Sequence, residues 1–95
     1  MKRQNNIKSE INKKVLLEVM GQIVKEKRQA LGKGILLLSY EYDISNSSIA
    51  QFEKGRRDVQ ITTLWKLVNA LDMTFSDFID EVYKRLPENF KLIED

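Results

Sequence analysis

The chain has 95 residues, a formal net charge of +2 and neither cysteine nor histidine. That length accommodates one compact domain and leaves little room for a second. The missing residue types exclude disulfides, thiol nucleophiles, imidazole bases and the common zinc ligand sets. No apolar run approaches the length of a membrane span, and the amino terminus lacks the apolar segment of a signal peptide. We therefore expect a soluble, cytoplasmic protein without a metal or cofactor.

Charge is distributed unevenly along the chain. Residues 1–33 carry nine Lys and Arg against three acids, whereas residues 77–95 carry three against six. A basic amino-terminal third and an acidic carboxyl-terminal segment are typical of a protein that presents one side to a polyanion. Ordinary solvated surface would explain the same distribution, so charge alone does not decide between the two.

Apolar residues recur at helical spacing almost throughout, and one proline and four glycines leave little room for strands and turns. We therefore predict an all-α protein. Residues 1–8 are predicted to form a flexible basic arm, residues 9–86 the folded domain, and residues 87–95 a C-terminal tail with a possible dimer contact.

The spacing predicts five helices, over residues 9–31, 35–42, 45–54, 61–71 and 75–86. Ser9, Ser45 and Thr74 are the predicted N-caps, since each hydroxyl can accept from a free backbone N–H in the first turn. Asp43 is predicted to adopt the left-handed conformation between the second and third helices. The first helix should bury a stripe formed by Ile11, Val15, Val19 and Ile23, and Ile61 should face inward on the fourth.

The third predicted helix carries the most specific chemical pattern. Ile49 and Phe52 should face inward and leave a polar outer face, and the basic segment Gly55-Arg56-Arg57 follows at once. Short polar side chains suit base edges, and nearby cations suit phosphate. The combination is typical of a helix that lies against DNA.

A spaced pattern extends over the third helix and its loop: Ser45-x-x-x-Ile49-x-x-Phe52-Glu53-x-Gly55-x-Arg57. Together with Met20-Gly21, Val24, Arg28 and Leu38 before it, and Thr63-Leu64 and Ala70-Leu71 after it, the pattern resembles the Cro/C1-type (XRE family) helix-turn-helix domain of phage repressors and related bacterial regulators. The resemblance covers roughly residues 20–78. It implies a five-helix, lambda-repressor-like fold, here with an extended first helix and an apolar C-terminal helix and tail.

The resemblance also implies roles for individual residues. The third helix of such domains enters the major groove, which assigns base reading to Asn46, Ser47 and Gln51, with Ala50 near a thymine methyl. Phosphate contacts fall to Ser45, Ser48, Lys54, Arg56 and Arg57. Arg28 and Glu53 occupy the positions of a partly buried ion pair that fixes the recognition helix and can aim the arginine at phosphate.

The second helix departs from the family. Gly34 and Ile35 replace the usual Ser or Thr cap and the usual phosphate-binding Gln, and Leu36 and Leu37 stand at positions that are normally polar. We expect the two leucines to repack against the long first helix; the alternative is a protein-contact patch on the second helix. Lys2, Arg3 and Lys8 either follow the DNA backbone or merely keep the arm soluble.

The predicted function is sequence-specific transcriptional regulation, most simply repression, by a homodimer on a palindromic operator of double-stranded DNA. The expected dimer contact is the last helix with the tail: Ile79, Val82, Tyr83, Leu86 and Phe90, with Leu92 and Ile93 beyond them. The alternative is an antitoxin that neutralises a partner protein through Leu36, Leu37 or the tail. No spacing typical of an enzyme active site is present, so we expect no catalytic residues.

Overall fold

The computed structural model describes residues 3–93, with side chains from residue 7 onward, and the regular elements in that range are all α-helices. In chain order they are α1 (Arg3–Ala30), α2 (Ile35–Tyr42), α3 (Asn46–Glu53), α4 (Ile61–Ala70) and α5 (Phe75–Arg85). The predicted all-α, five-helix fold is confirmed. The last four helices begin and end within one residue of the predicted positions.

The first helix is longer than predicted. It begins at Arg3 rather than at residue 9, which places residues 3–8 on α1 instead of in a separate arm. Residues 3–8 contain no proline or glycine that would stop a helix. Ser9 therefore does not cap α1, and its hydroxyl donates to the carbonyl of Leu92. The predictions for Lys2 and for the Arg3 side chain lie outside the described residues.

The core forms where α1 passes between α3 and α5. Its fully buried side chains are Ile23, Val24, Leu38, Ile49, Phe52, Leu67, Val68 and Phe78. On α1 the buried face also includes Leu17 and Met20, whereas Ile11, a predicted core residue, is 59% exposed. Of the predicted stripe, Ile23 is buried and Val19 packs against the core, and Ile11 is exposed because the buried side chains of α1 begin only at Leu17. Ile61 also points outward, contrary to prediction, and is 63% exposed.

The helix ends follow the local sequence signals. The hydroxyl of Ser45 accepts from the backbone N–H of Ser48, and that of Thr74 accepts from the N–H of Asp77. Asp43 adopts φ 55 and ψ 51, the predicted left-handed conformation, and buried Ile44 anchors the same turn in the core. The angle between α2 and α3 is therefore set both by the left-handed backbone at Asp43 and by the packing of Ile44.

The C-terminal tail folds back along the amino-terminal half of α1. Besides the bond from Ser9, the side-chain amide of Asn12 donates to the carbonyl of Lys91 at 2.7 Å. A groove of about 420 Å³ runs between α1, α5 and the tail, with Leu16, Ile79 and Phe90 among its walls. The groove and α3, the predicted recognition helix, lie on different sides of α1.

Candidate nucleic-acid interface

Two short helices joined by a tight turn form the centre of the interface. α2 and α3 have eight residues each and are separated by residues 43–45. Ile49 and Phe52 of α3 are each 1% exposed, which fixes the inner face of α3 against α1 and α2. The opposite face of α3 is free to meet another surface.

The predicted base-reading residues all lie on that free face. Asn46 and Ser47 are exposed, and Ala50 and Gln51 are partly exposed one turn further on. Asn46 and Ala50 are four residues apart, as are Ser47 and Gln51. The members of each pair therefore lie one turn apart on the same side of α3. The face therefore presents amide and hydroxyl groups side by side, without a charged side chain among them.

The ion pair expected from the resemblance is present and tightly made. Arg28 Nε and Nη2 donate to the two carboxylate oxygens of Glu53 at 2.7 and 2.9 Å, and Nη1 donates to the carbonyl of Lys33 at 3.0 Å. The two side chains are only 13% and 5% exposed. These hydrogen bonds to Glu53 raise the pKa of Arg28, so the guanidinium stays charged at any ordinary pH.

This hydrogen bonding limits what Arg28 can do for DNA. All three guanidinium nitrogens already donate within the protein, and little of the side chain reaches solvent. The arginine therefore acts first as a structural link from α1 to both α3 and the loop before α2.

Two glycines let α1 approach the end of α3 closely. A Cβ on Gly21 would lie 2.2 Å from the carbonyl oxygen of Phe52, which is backbone and cannot move aside alone. A Cβ on Gly55 would lie 2.6 Å from Cγ of Glu18, and Gly55 also has φ +71, which disfavours other residues. The recognition helix thus ends in contact with the α1 backbone. The importance of Gly21 was visible only as part of the family pattern.

The loop after α3 places cations beside the free face. Lys54, Arg56 and Arg57 are all exposed. Nη1 of Arg57 donates to the hydroxyl of Ser48 at 3.1 Å, so these two predicted phosphate contacts are linked to each other. The backbone N–H of Arg56 donates to the carbonyl of Gln51, which holds the start of the loop on α3. The result is a group of three exposed cations at the carboxyl end of α3, of which Arg57 is held by its hydrogen bond to Ser48.

The start of α2 lacks the polar groups that would bind phosphate. Gly34 provides no side-chain cap and Ile35 is partly buried. Lys33 is engaged elsewhere, since its ammonium donates to the carbonyl of Ala70 at the end of α4. The predicted phosphate contacts are therefore confined to α3 and its loop.

The outer face of α2 is apolar and exposed. Leu36 is 71% exposed, Leu37 46% and Tyr40 89%. The expectation that Leu36 and Leu37 repack against α1 is therefore wrong, because neither leucine finds enough cover on its own chain. Tyr40 belongs to the same surface and was not singled out from the sequence, although its spacing of four residues from Leu36 would have placed it there.

The predicted dimer residues divide into two groups. Val82 is 4% exposed and belongs to the core, whereas Ile79, Leu86 and Phe90 are partly buried; all four line the groove. Tyr83, at 72%, and Leu92, at 39%, line the groove and remain exposed, and Ile93 is 72% exposed. α5 therefore contributes side chains both to the core and to the exposed wall of the groove.

The helix-turn-helix, with a polar recognition face and flanking cations, defines the chain as a DNA-binding protein. A family model described as helix-turn-helix matches residues 24–78, more than half of the chain. The protein belongs to this family, the Cro/C1-type or XRE family of transcription regulators. No curated protein and no solved structure matches the chain.

Two further properties of the described residues bear on function. None of their helices combines the length and the apolar character needed to cross a bilayer. Nor do three or more of their acidic side chains come together where they would bind a metal ion.

Proposed function

We propose that the protein is a sequence-specific transcriptional repressor that binds a palindromic operator as a homodimer, with α3 in the major groove. The observation that carries this proposal is the polar free face of α3, held in place by the buried Arg28–Glu53 pair. Repression follows from occupancy, since a protein bound at a promoter excludes RNA polymerase without any chemical step.

Each polar group on the free face has a role in this proposal. The amides of Asn46 and Gln51 each pair with an adenine edge, Ser47 donates to a neighbouring base, and the Ala50 methyl meets a thymine methyl. Phosphates are bound by a second set, which fixes register without reading sequence. That set is Ser45, Lys54, Arg56 and Arg57, with Ser48 acting through its hydrogen bond to Arg57.

The test begins with selection of bound sites from random double-stranded DNA. A palindromic consensus containing A·T pairs is the expected result. On that consensus, Gln51→Ala should weaken binding by about 1–3 kcal/mol and relax preference at one position, leaving random DNA unaffected. Lys54→Ala is the matched control, since losing a phosphate contact weakens both DNAs alike and lowers the salt dependence. Equal losses for Gln51→Ala on both DNAs would remove it from the base-reading set.

The dimer is supported by the groove between α1, α5 and the tail. One domain reads only a few base pairs, and two on a two-fold axis place their recognition helices about 34 Å apart. Tyr83 and Leu92 line the groove and remain exposed. Tyr83→Glu should convert a dimer to a monomer in light scattering, whereas Ile61→Glu, an equally exposed site on α4, should not.

An antitoxin is the second candidate, supported by the same exposed apolar groove and tail. In that case another protein, rather than a second copy, fills the groove. Purification of the chain from its natural source with one stoichiometric partner, lost in Tyr83→Glu, would favour this function. A homodimer that purifies alone and selects a palindrome would exclude it.

A further inference from the structure

Two exposed apolar surfaces consist of residues that belong neither to the predicted DNA contacts nor to the lining of the groove. The α2 surface consists of Leu36, Leu37 and Tyr40, and the α1 surface consists of Ile7 and Ile11, which are 62% and 59% exposed. A short helix at a protein surface normally turns polar residues to water. Three apolar side chains on the free face of one eight-residue helix therefore indicate a protein contact.

The two surfaces lie at opposite ends of the molecule. α1 has 28 residues, a length of about 42 Å at 1.5 Å per residue. The longest dimension of the molecule is 46 Å, so α1 runs along nearly all of it. Ile7 and Ile11 occupy its amino-terminal half, and α2 begins five residues after its last residue, Ala30.

The charges around the two surfaces are complementary. Residues 34–53, which include all of α2, contain three acids and no Lys or Arg. Glu53 is bound to Arg28, which leaves Glu41 and Asp43 to set the charge beside the α2 surface, and both are exposed. On α1, residues 7–14 carry three lysines against one acid. Lys13 is paired with Asp58, which leaves Lys14, on the helix face of Ile7 and Ile11, as the cation beside the α1 surface.

We propose that the α1 surface of one molecule packs against the α2 surface of a second copy, with Lys14 beside Glu41. Leu36 and Tyr40 on α2 are four residues apart, as are Ile7 and Ile11 on α1, so the two helices present matching ridges. The acidic rim of the α2 surface meets the basic rim of the α1 surface. The contact joins different surfaces at opposite ends of an elongated chain. It is therefore heterologous and adds molecules in a row instead of closing after two.

The α2 surface can take part in this contact while the protein is bound to DNA. Glu41 and Asp43 at the carboxyl end of α2 repel phosphate, which keeps the α2 surface away from the DNA backbone. If the proposed operator function holds, molecules on neighbouring sites contact one another and bind cooperatively. The contact itself needs no DNA and is tested without it.

The contact is separable from the groove dimer, because the two use opposite sides of α1. Ser9, Asn12 and Leu16 face the tail and the groove. By helical spacing Ile7 and Ile11 point to the other side. Self-association is therefore measured in the Tyr83→Glu background, where the groove no longer contributes.

The experiment is sedimentation velocity of that chain over a wide range of concentration. The expected result is growth through dimer to longer species, weakened by salt. Lys14→Glu and Glu41→Lys, each added alone, should abolish it, while an equimolar mixture of the two should restore it, since each α1 surface then meets an α2 surface of opposite charge. A purely structural effect of either change would not be rescued by mixing.

The apolar part has its own variants. Tyr40→Ser and Ile11→Ser should each weaken the association about tenfold, as loss of a central contact residue does. Ile61→Ser is the matched control, an exposed isoleucine outside both surfaces, and should have no effect. A chain that stays monomeric at every concentration overturns the proposal. So does association that survives both charge reversals, or an α2 surface that binds only a different protein.

Discussion

Two arginine–glutamate pairs, each made by two hydrogen bonds, link α1 to other helices in different surroundings. Arg28 of α1 donates to Glu53 of α3 at 2.7 and 2.9 Å, and Arg85 of α5 donates to Glu26 of α1 at 2.7 and 3.2 Å. The side chains of the first pair are 13% and 5% exposed, and those of the second are 31% and 44% exposed.

Burial decides what each pair contributes. Around Glu26 and Arg85, water and salt replace much of a lost partner, so an exposed pair contributes little net stability. Around Arg28 and Glu53 little water can replace a lost partner, and an unpaired charge would be left largely buried in the protein. Of the two pairs, the one that links α3 to α1 is therefore the costlier to break.

Removing the carboxylate of Glu53 should have the largest effect. Glu53→Ala should lower the free energy of unfolding by roughly 3 kcal/mol, because it leaves the Arg28 guanidinium largely buried without its partner. Urea denaturation measures the loss. Glu26→Ala is the matched control from the exposed pair and should lose much less. Equal losses in the two variants would show that burial does not distinguish them.

A double variant sharpens the same point. Arg28→Met with Glu53→Leu removes both charges and fills the space with apolar side chains. It should be more stable than Glu53→Ala, since no buried charge is left unpaired. A double variant less stable than Glu53→Ala would mean that the pair contributes through its hydrogen bonds, including the one to the Lys33 carbonyl, more than through charge balance.

Gly21→Ala should have the next largest effect, by breaking the same α1–α3 contact without touching a charge. The new methyl group would lie 2.2 Å from the carbonyl oxygen of Phe52 and 2.9 Å from that of Glu53. Helix α3 must then move away from α1, at a cost of about 1–3 kcal/mol. The shift should also weaken DNA binding, because the recognition face moves relative to its cationic loop.

The control for this variant is Gly34→Ala, where no other atom lies within 4 Å of the added carbon. Thermal unfolding and binding to selected DNA are measured for both variants. Unchanged stability and affinity in Gly21→Ala would show that the α1–α3 contact adjusts more easily than its geometry indicates.

The sequence predicted best what local rules control. The caps at Ser45 and Thr74 and the left-handed Asp43 depend on a few neighbouring residues, and all three are present. Likewise, the Arg28–Glu53 pair follows from a pattern in which both positions are occupied. Such features need no knowledge of how distant helices pack.

The sequence predicted poorly what depends on distant partners. Helical periodicity placed Ile11 and Ile61 inside, because a stripe of apolar residues does not reveal how far the neighbouring helix extends. The contact of Arg85 with Glu26 joins residues far apart in sequence and has no local signal. The fold back of the tail onto Ser9 and Asn12 is of the same kind.

The smallest predicted effect is the pH dependence of the exposed pair. Hydrogen bonds from Arg85, and then from Gln22, hold the pKa of Glu26 below its ordinary value of 4.5. A carboxylate with a lowered pKa in the folded state stabilises the fold fully above its unfolded pKa, and this contribution is lost as the pH falls through the folded value. Glu26→Gln should therefore melt at a slightly lower temperature than the parent at neutral pH. The difference should vanish in acid well below pH 4.5.

Glu88→Gln, which removes an exposed carboxylate from the tail, corrects for the general effect of lost negative charge. Calorimetric melting temperatures of the three proteins across the acid range measure the difference. If Glu26→Gln and Glu88→Gln follow the same curve at every pH, the pair adds nothing at the surface. The stability of α5 on α1 then comes from apolar packing alone, around the buried side chains of Phe78 and Val82.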